Sequence, residues 1–147
     1  MKKKESLNIS FKFQGIRTEQ FAIFPDKYNA KKDTALGTKL DFKLNNIENQ
    51  IGCYIHFDFE QGKNRFITIE VSCHYVVEES SFNKFKDEEK KKVIIPKDFL
   101  THLAVLTVGT TRGILFSKTE GSIFSSFILP TINLTEMIDV DAMFEID

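Results

Sequence analysis

Apolar and polar residues alternate with a period of two through the first half of the chain, which is the pattern of half-buried β-strands. Four stretches share it and are predicted strands: residues 7–13 with a looser continuation to 23, 40–44, 51–59 and 67–77. Polar residues 27–38 predict a loop, and short turns are predicted at Asn45–Asn49 and Gly62–Asn64. Short connections between alternating strands favour an antiparallel meander with one dry face and one wetter face.

The third and fourth strands are both apolar at odd positions, so residues that pair across their hairpin must share parity. Centring the turn at residues 62–64 places Cys53 opposite Cys73 and His56 opposite Glu70. A slip of one residue would move every apolar side chain to the wrong face.

The second half of the chain changes character. It predicts four elements in order: a charged connector at Glu78–Lys92, a helix at Lys97–Glu120, an apolar crossover at Ile123–Pro130 and a short helix at Leu134–Phe144. Phe82 and Phe85 are expected to anchor the connector, and Gly121 to end the long helix. Strands followed by helices laid against one sheet face make an α+β fold.

Composition narrows the class of protein. A chain of 147 residues, 41% of them apolar, suits one globular domain over residues 1–147. Its net charge of −1 lacks the strong positive charge that is typical of a nucleic-acid-binding domain. No uninterrupted apolar run approaches the roughly 18 residues of a membrane span. The basic residues 1–5 are followed by no apolar signal region, so a cytoplasmic protein is expected.

Chemistry-bearing motifs are scarce. No P-loop, G-x-S-x-G or H-E-x-x-H motif occurs, and neither cofactor nor metal is expected. His56, His74 and Glu70 allow a two-histidine, one-carboxylate site to be drawn, although ordinary surface or interface roles suit them better. Cys53 and Cys73 are too few for a disulfide framework and fit a buried apolar face. A non-enzymatic protein is therefore expected.

Aromatic composition is unusual, with 15 Phe and no Trp. These rings indicate either a ring-rich core or an adhesive apolar surface. Gly109 and Gly113 lie one turn apart on the long helix, where another backbone can approach.

Three short motifs of the carboxyl-terminal third occur in a fixed order: Thr111–Gly113 late in the helix, Leu129–Leu134 from the end of the crossover, and Asp141–Phe144 near the end. Together with four preceding strands, they resemble the SecB family of export chaperones and its SecB-like relatives. Phe11–Arg17 is similar to the family's first strand.

The resemblance implies a homotetramer, a dimer of dimers, with long helices packed between dimers. Gly109, Gly113 and Arg112 are the expected interface residues on that helix. It also implies an ATP-independent holdase that binds unfolded or unassembled polypeptides. Burial of a client's apolar side chains, at about 25 cal/mol per Å², would drive such binding without sequence preference.

Client-binding residues follow partly from the resemblance. The family's client groove uses its crossover, which maps onto Leu129 here. Phe124, Phe127 and Ile128 are added on their chemistry. Phe42 and Leu44 of the second strand are weaker candidates.

Two departures concern export. Export members that dock on the translocase motor SecA carry an acidic pair near the end of the first strand, where Gln20 and Phe24 stand here. Their carboxyl-terminal tail also engages the motor, and this sequence ends three residues after Phe144. Both weaken the export reading, and a chaperone dedicated to a single client, such as an antitoxin, stays open as the other role. The alternative from another class is a small-ligand-binding protein with an apolar cavity between sheet and helix.

Overall fold

The structure, a computed structural model, describes residues 8–146, so Leu7 of the first predicted strand lies outside the described residues. Seven strands and three helices follow in chain order: β1 Phe11–Ile23, β2 Ala35–Asn45, β3 Gln50–Gln61, β4 Asn64–Val77, α1 Glu79–Asn83, β5 Lys86–Asp87, β6 Lys92–Ile95, α2 Lys97–Thr119, α3 Leu134–Met137 and β7 Ala142–Glu145. The α+β class, with a four-stranded antiparallel sheet, a long helix and a short helix, is confirmed.

The main sheet has the order β1-β4-β3-β2. Strands β2, β3 and β4 form the predicted meander, but the meander is wrong for β1, which pairs with β4. Residues 24–34 make a connection too long for a hairpin and carry the chain from one edge of the sheet to the other. Strand β2 begins at Ala35, so the last four residues of the predicted loop belong to the strand.

The predicted register of β3 and β4 is confirmed, with Cys53 opposite Cys73 and His56 opposite Glu70. The turn itself holds only residues 62–63, which would pair odd with even positions. A β-bulge at Phe66 restores the shared parity, because Phe59 pairs with Ile67 while Glu60 pairs with Arg65. Sequence periodicity thus found the register without finding the bulge.

Helix α2 packs on the apolar face of β3 and β4. The Tyr75 hydroxyl donates to the Leu103 carbonyl at 3.2 Å and lies 2.9 Å from the Thr107 hydroxyl. Buried threonines suit this helix because their hydroxyls donate to carbonyls four residues earlier, as Thr107 and Thr111 do. The helix ends one residue before the predicted Glu120, and Gly121 follows with φ of +79°.

The connector after β4 is held by two rings, since Phe82 and Phe85 are both buried as expected. The predicted terminal helix is wrong beyond Met137. Residues Ala142–Glu145 form a strand instead, and Ile94 pairs with Met143 in a second sheet of order β5-β6-β7. Pairing with β6, far away in sequence, overrides the local pattern.

By length and composition alone, α2 is apolar enough to cross a membrane. Polar residues interrupt the apolar ones in this helix, so no long apolar run marks it in the sequence. In the fold, part of the helix is buried against the sheet, and core helices of globular domains pass the same test.

Candidate functional site

Side chains of the crossover after α2 change between the core and the solvent within a few residues. Phe124 is only 6% exposed and Leu129 2% exposed, so both belong to the core. Phe127 is half-buried, whereas Ile128 is 57% exposed. The four crossover residues expected to bind a client therefore do not form one surface.

A cluster of aromatic rings lies under the crossover. The ring centroids of Phe66 and Phe127 are 5.0 Å apart, and those of Tyr28 and Phe124 are 5.4 Å apart. Edge-to-face packing of this kind stabilises a fold beyond simple burial. Part of the phenylalanine excess therefore builds a core that fixes the path of the crossover.

Arg112 fastens the crossover to α2. Its Nε and Nη2 atoms donate to the carbonyls of Leu129 and Pro130, each at 2.8 Å. Charge-assisted hydrogen bonds are stronger than neutral ones. Within this chain the guanidinium is thus committed to the crossover, a contact that the expected interface role did not anticipate.

An open depression of about 300 Å³ lies between α2 and the chain after the crossover. We call it the crossover groove. Its lining is mostly apolar and comprises Val105, Val108, Arg112, Leu129, Thr131, Ile132 and Leu134. Val105, at 54% exposed, is the most accessible apolar side chain of this lining.

A second open depression, of about 190 Å³, lies beside β2, and we call it the edge groove. Its lining joins β2, α2, α3, the start of β7 and the segment between α3 and β7: Leu40, Phe42, Leu100, Met137, Ile138, Asp139, Val140, Asp141 and Ala142. Phe42 is thus placed as a groove residue. Leu44 lines a different depression, of about 200 Å³, with Tyr54 and His74, so the two strand candidates are separated.

Sequence reasoning missed the contribution of residues 137–142 to the edge groove. Met137 and Val140 are exposed there, while Leu134 and Ile138 are buried and hold the segment against the fold. The apolar residues of this segment are evident in the sequence. A predicted helix over the segment gave no reason to expect them beside β2.

The outward face of α2 carries Gly109 and Gly113, both exposed, with nothing within 4 Å of a Cβ added at either position. Val105 and Phe116 are exposed at neighbouring turns. Another backbone has room to approach here, and the interface role of the glycines stays a prediction.

On the opposite face of the sheet, His56 lies between two carboxylates. Its Nε2 atom is 3.0 Å from Asp58 Oδ1, and its Nδ1 atom is 3.3 Å from Glu70 Oε1. Burial alone would raise the pKa of Asp58, but hydrogen bonds from Thr68 and His56, with the charge of His56, lower it below its usual range.

His74 does not join this cluster. It stands four residues from Glu70 along β4, about 13 Å at roughly 3.3 Å per residue. Its Nε2 atom lies 3.0 Å from the Ser72 hydroxyl, and burial, with Arg17 nearby, lowers its pKa. The three side chains of the drawn two-histidine site therefore do not converge. Within residues 8–146, no group of three or more His, Cys, Asp and Glu side chains is arranged to hold a metal ion.

The space between sheet and helix is filled by side chains. Cys53, Cys73 and Tyr75 are fully buried there against Leu103 and Thr107. Burial raises the pKa of Cys53 to about 12 and also raises that of Cys73, so both are protonated, apolar in character and unreactive. These buried side chains lie in the region where the small-ligand alternative expects a cavity.

Comparisons with known proteins give one distant likeness. No protein-family model matches the sequence, and no curated protein matches it. Among solved structures, the chain is similar to the Mycobacterium tuberculosis Rv1957 SecB-like chaperone, determined in complex with a ChAD peptide from the Rv1956 HigA1 antitoxin. The match has 10% identity and a TM-score of 0.48, and covers 84% of this chain and 91% of that one. We draw no function from a likeness this distant.

Proposed function

We propose that this protein is an ATP-independent chaperone that holds unfolded or unassembled polypeptides in extended form. The observation that supports it is the pair of open apolar grooves bordered by residues 129–142, one beside α2 and one beside β2. Most of the side chains that line them are aliphatic, with Phe42 added in the edge groove. Within residues 8–146, no group of three or more His, Cys, Asp and Glu side chains is arranged to hold a metal ion.

The shape of the grooves suits side chains of an extended chain better than a small ligand. Each groove is open to solvent and has room for large side chains, and burying one Leu or Phe gains about 1.5–3 kcal/mol. Several such contacts are needed for useful affinity once the ordering of the client is counted. Binding that depends on several apolar contacts in succession favours unfolded chains over folded ones.

The proposal includes a homotetramer in the cytoplasm, packed through the outward face of α2 around Gly109 and Gly113. Small residues there allow two helix backbones to approach closely. Light scattering should give about 68 kDa, four times the 17.0 kDa chain. A mass of one chain at micromolar concentration would contradict the tetramer and leave the grooves unaffected.

A dedicated client, such as an antitoxin, fits this chain better than general export through SecA. Gln20 and Phe24 carry no charge for a basic partner at the end of β1. Phe24 is also tied to the sheet, since its amide donates to the Phe66 carbonyl at 2.8 Å.

The test is suppression of client aggregation without nucleotide. The purified protein should keep a chemically unfolded client in solution, and an Ile132→Ser variant should weaken this by removing an apolar contact from the crossover groove. Ile47→Ser is the matched control, because Ile47 is 89% exposed in the β2–β3 turn and lines neither groove. Equal protection by all three proteins would exclude the crossover groove, and no protection by the parent would exclude the function.

A further inference from the structure

The two edges of the main sheet are built differently. Strand β1 carries register shifts at Gln14 and Glu19, and such bulges twist an edge away from further pairing. Strand β2 pairs with β3 from Ala35 to Asn45 without a shift. A long edge strand free of bulges is a template for another strand.

The direction of the free backbone groups on β2 follows from the ladder. The Val77 amide donates to the Asn49 carbonyl, so odd residues of β4 bond towards β3. Hydrogen bonds alternate along an antiparallel strand, so even residues of β3 bond to odd residues of β2. The even residues of β2 therefore turn their N–H and C=O groups outward.

A side chain confirms this orientation. The Phe42 amide donates to the Asp41 carboxylate of its own strand at 3.0 Å, which it does from the open side. In the described part of the chain, no backbone hydrogen bond from another element reaches Leu36, Thr38, Leu40, Phe42 or Leu44.

Two of the residues with free backbone groups also line the edge groove. Leu40 and Phe42 point their side chains into it, opposite Met137 and Val140. An added strand would continue the alternation, with every second side chain directed to the same apolar side.

Charges on the polar face of β2 determine which side chains are favoured on that face of the added strand. Lys39, Asp41 and Lys43 occupy the odd positions of β2 on the polar face, an excess of one positive charge. Opposite charges on neighbouring strands attract, and like charges repel.

We propose that a client segment adds to the free edge of β2 as a fifth strand, with apolar residues in the edge groove and acidic residues opposite Lys39 and Lys43. This rests on the proposed function and names how the client is held. Main-chain hydrogen bonds supply affinity that does not depend on the client's sequence. The alternation of apolar and acidic residues in the client segment determines which segments bind. Asp41 competes for the Phe42 amide, so the incoming strand must displace its carboxylate.

The test compares two peptides of equal length that alternate Leu and Val with Glu in one and with Lys in the other. The Glu peptide should bind at least about tenfold more tightly at low salt. Amide hydrogen exchange should slow at Leu40 and Phe42 on binding, whereas the amides of Lys39 and Lys43, already bonded to β3, should change little.

Thr38→Pro removes one outward donor and blocks the edge, and proline is tolerated on the open side of an edge strand. It should weaken the Glu peptide about tenfold, while Thr38→Val, which keeps the amide, should not. Unchanged exchange at Lys39 and Lys43 would show that the variant is folded. Asp41→Ala should bind more tightly, because the competing carboxylate is gone.

Three results would overturn the proposal. Peptide binding without slower exchange at Leu40 and Phe42 would place the client in the grooves by side chains alone, and the chaperone function would stand. Protection of these amides in the free protein, lost on dilution, would assign the edge to a second copy. Failure of both peptides to bind, in a protein that also fails to suppress aggregation, would remove both the strand addition and the proposed function.

Discussion

Replacing Leu129 and Ile128 separately by Ala distinguishes core from surface at adjacent crossover positions. Leu129 is 2% exposed, and its carbonyl and that of Pro130 accept hydrogen bonds from Arg112. Ile128 is 57% exposed and lines neither groove. Both residues are large and aliphatic, so composition cannot separate their roles.

The magnitude follows from the burial of each side chain. Leu129→Ala removes three buried carbons, about 2.4 kcal/mol at roughly 0.8 kcal/mol each, and the cavity left behind raises the loss to about 3 kcal/mol. Ile128→Ala exchanges one exposed side chain for a smaller one, and we expect a loss under about 0.5 kcal/mol.

Denaturant unfolding at matched protein concentration measures both variants, since any assembly makes stability depend on concentration. The melting temperature of Leu129→Ala should fall by roughly 6–12 °C, at about 2–4 °C per kcal/mol. Equal stability of the two variants would refute the inward position of Leu129. Aggregation assays must then be run below the midpoint of the less stable variant.

Three further changes test other parts of the fold. Arg112→Ala should cost about 2–3 kcal/mol of unfolding free energy by releasing two carbonyls, and Arg112→Lys should recover only part, because one ammonium cannot match the fork; full stability of the Ala variant would deny the fastening role. The lowered pKa of Asp58 means that its carboxylate stabilises the fold above its unfolded pKa of about 3.9 and that this stability disappears as pH falls through the folded pKa; acid titration of unfolding should therefore be shallower for Asp58→Asn, and identical titrations would contradict the ion pair with His56. Because their pKa values are raised by burial, Cys53 and Cys73 should react with a thiol reagent at pH 8 only as fast as the protein unfolds, and rapid labelling of the native protein would show an open core.

Local periodicity determined the centre of the main sheet. The apolar odd positions of β3 and β4 were predicted as one face, and that face is buried from Ile51 to Val77. Their register followed as well, because the apolar side chains of both strands share one face only if odd residues pair with odd residues. The long helix and its end at Gly121 were likewise readable, since capping residues act within a turn of the positions they terminate.

Tertiary contacts determined strand pairings that sequence periodicity cannot predict. Strand β1 could join either edge of the meander, and its pairing with β4 depends on residues far away in sequence. Residues 142–145 became a strand because β6 offered a free edge.

The candidate site was decided at the same level. Phe124 and Ile128 are both apolar and four residues apart, yet one is buried by Tyr28 and Phe66 and the other faces solvent. The amino-acid sequence therefore determined which residues are apolar and how they alternate along each strand. Which apolar residues remain accessible to a client depends on how the elements cover one another, and only the folded chain determines that.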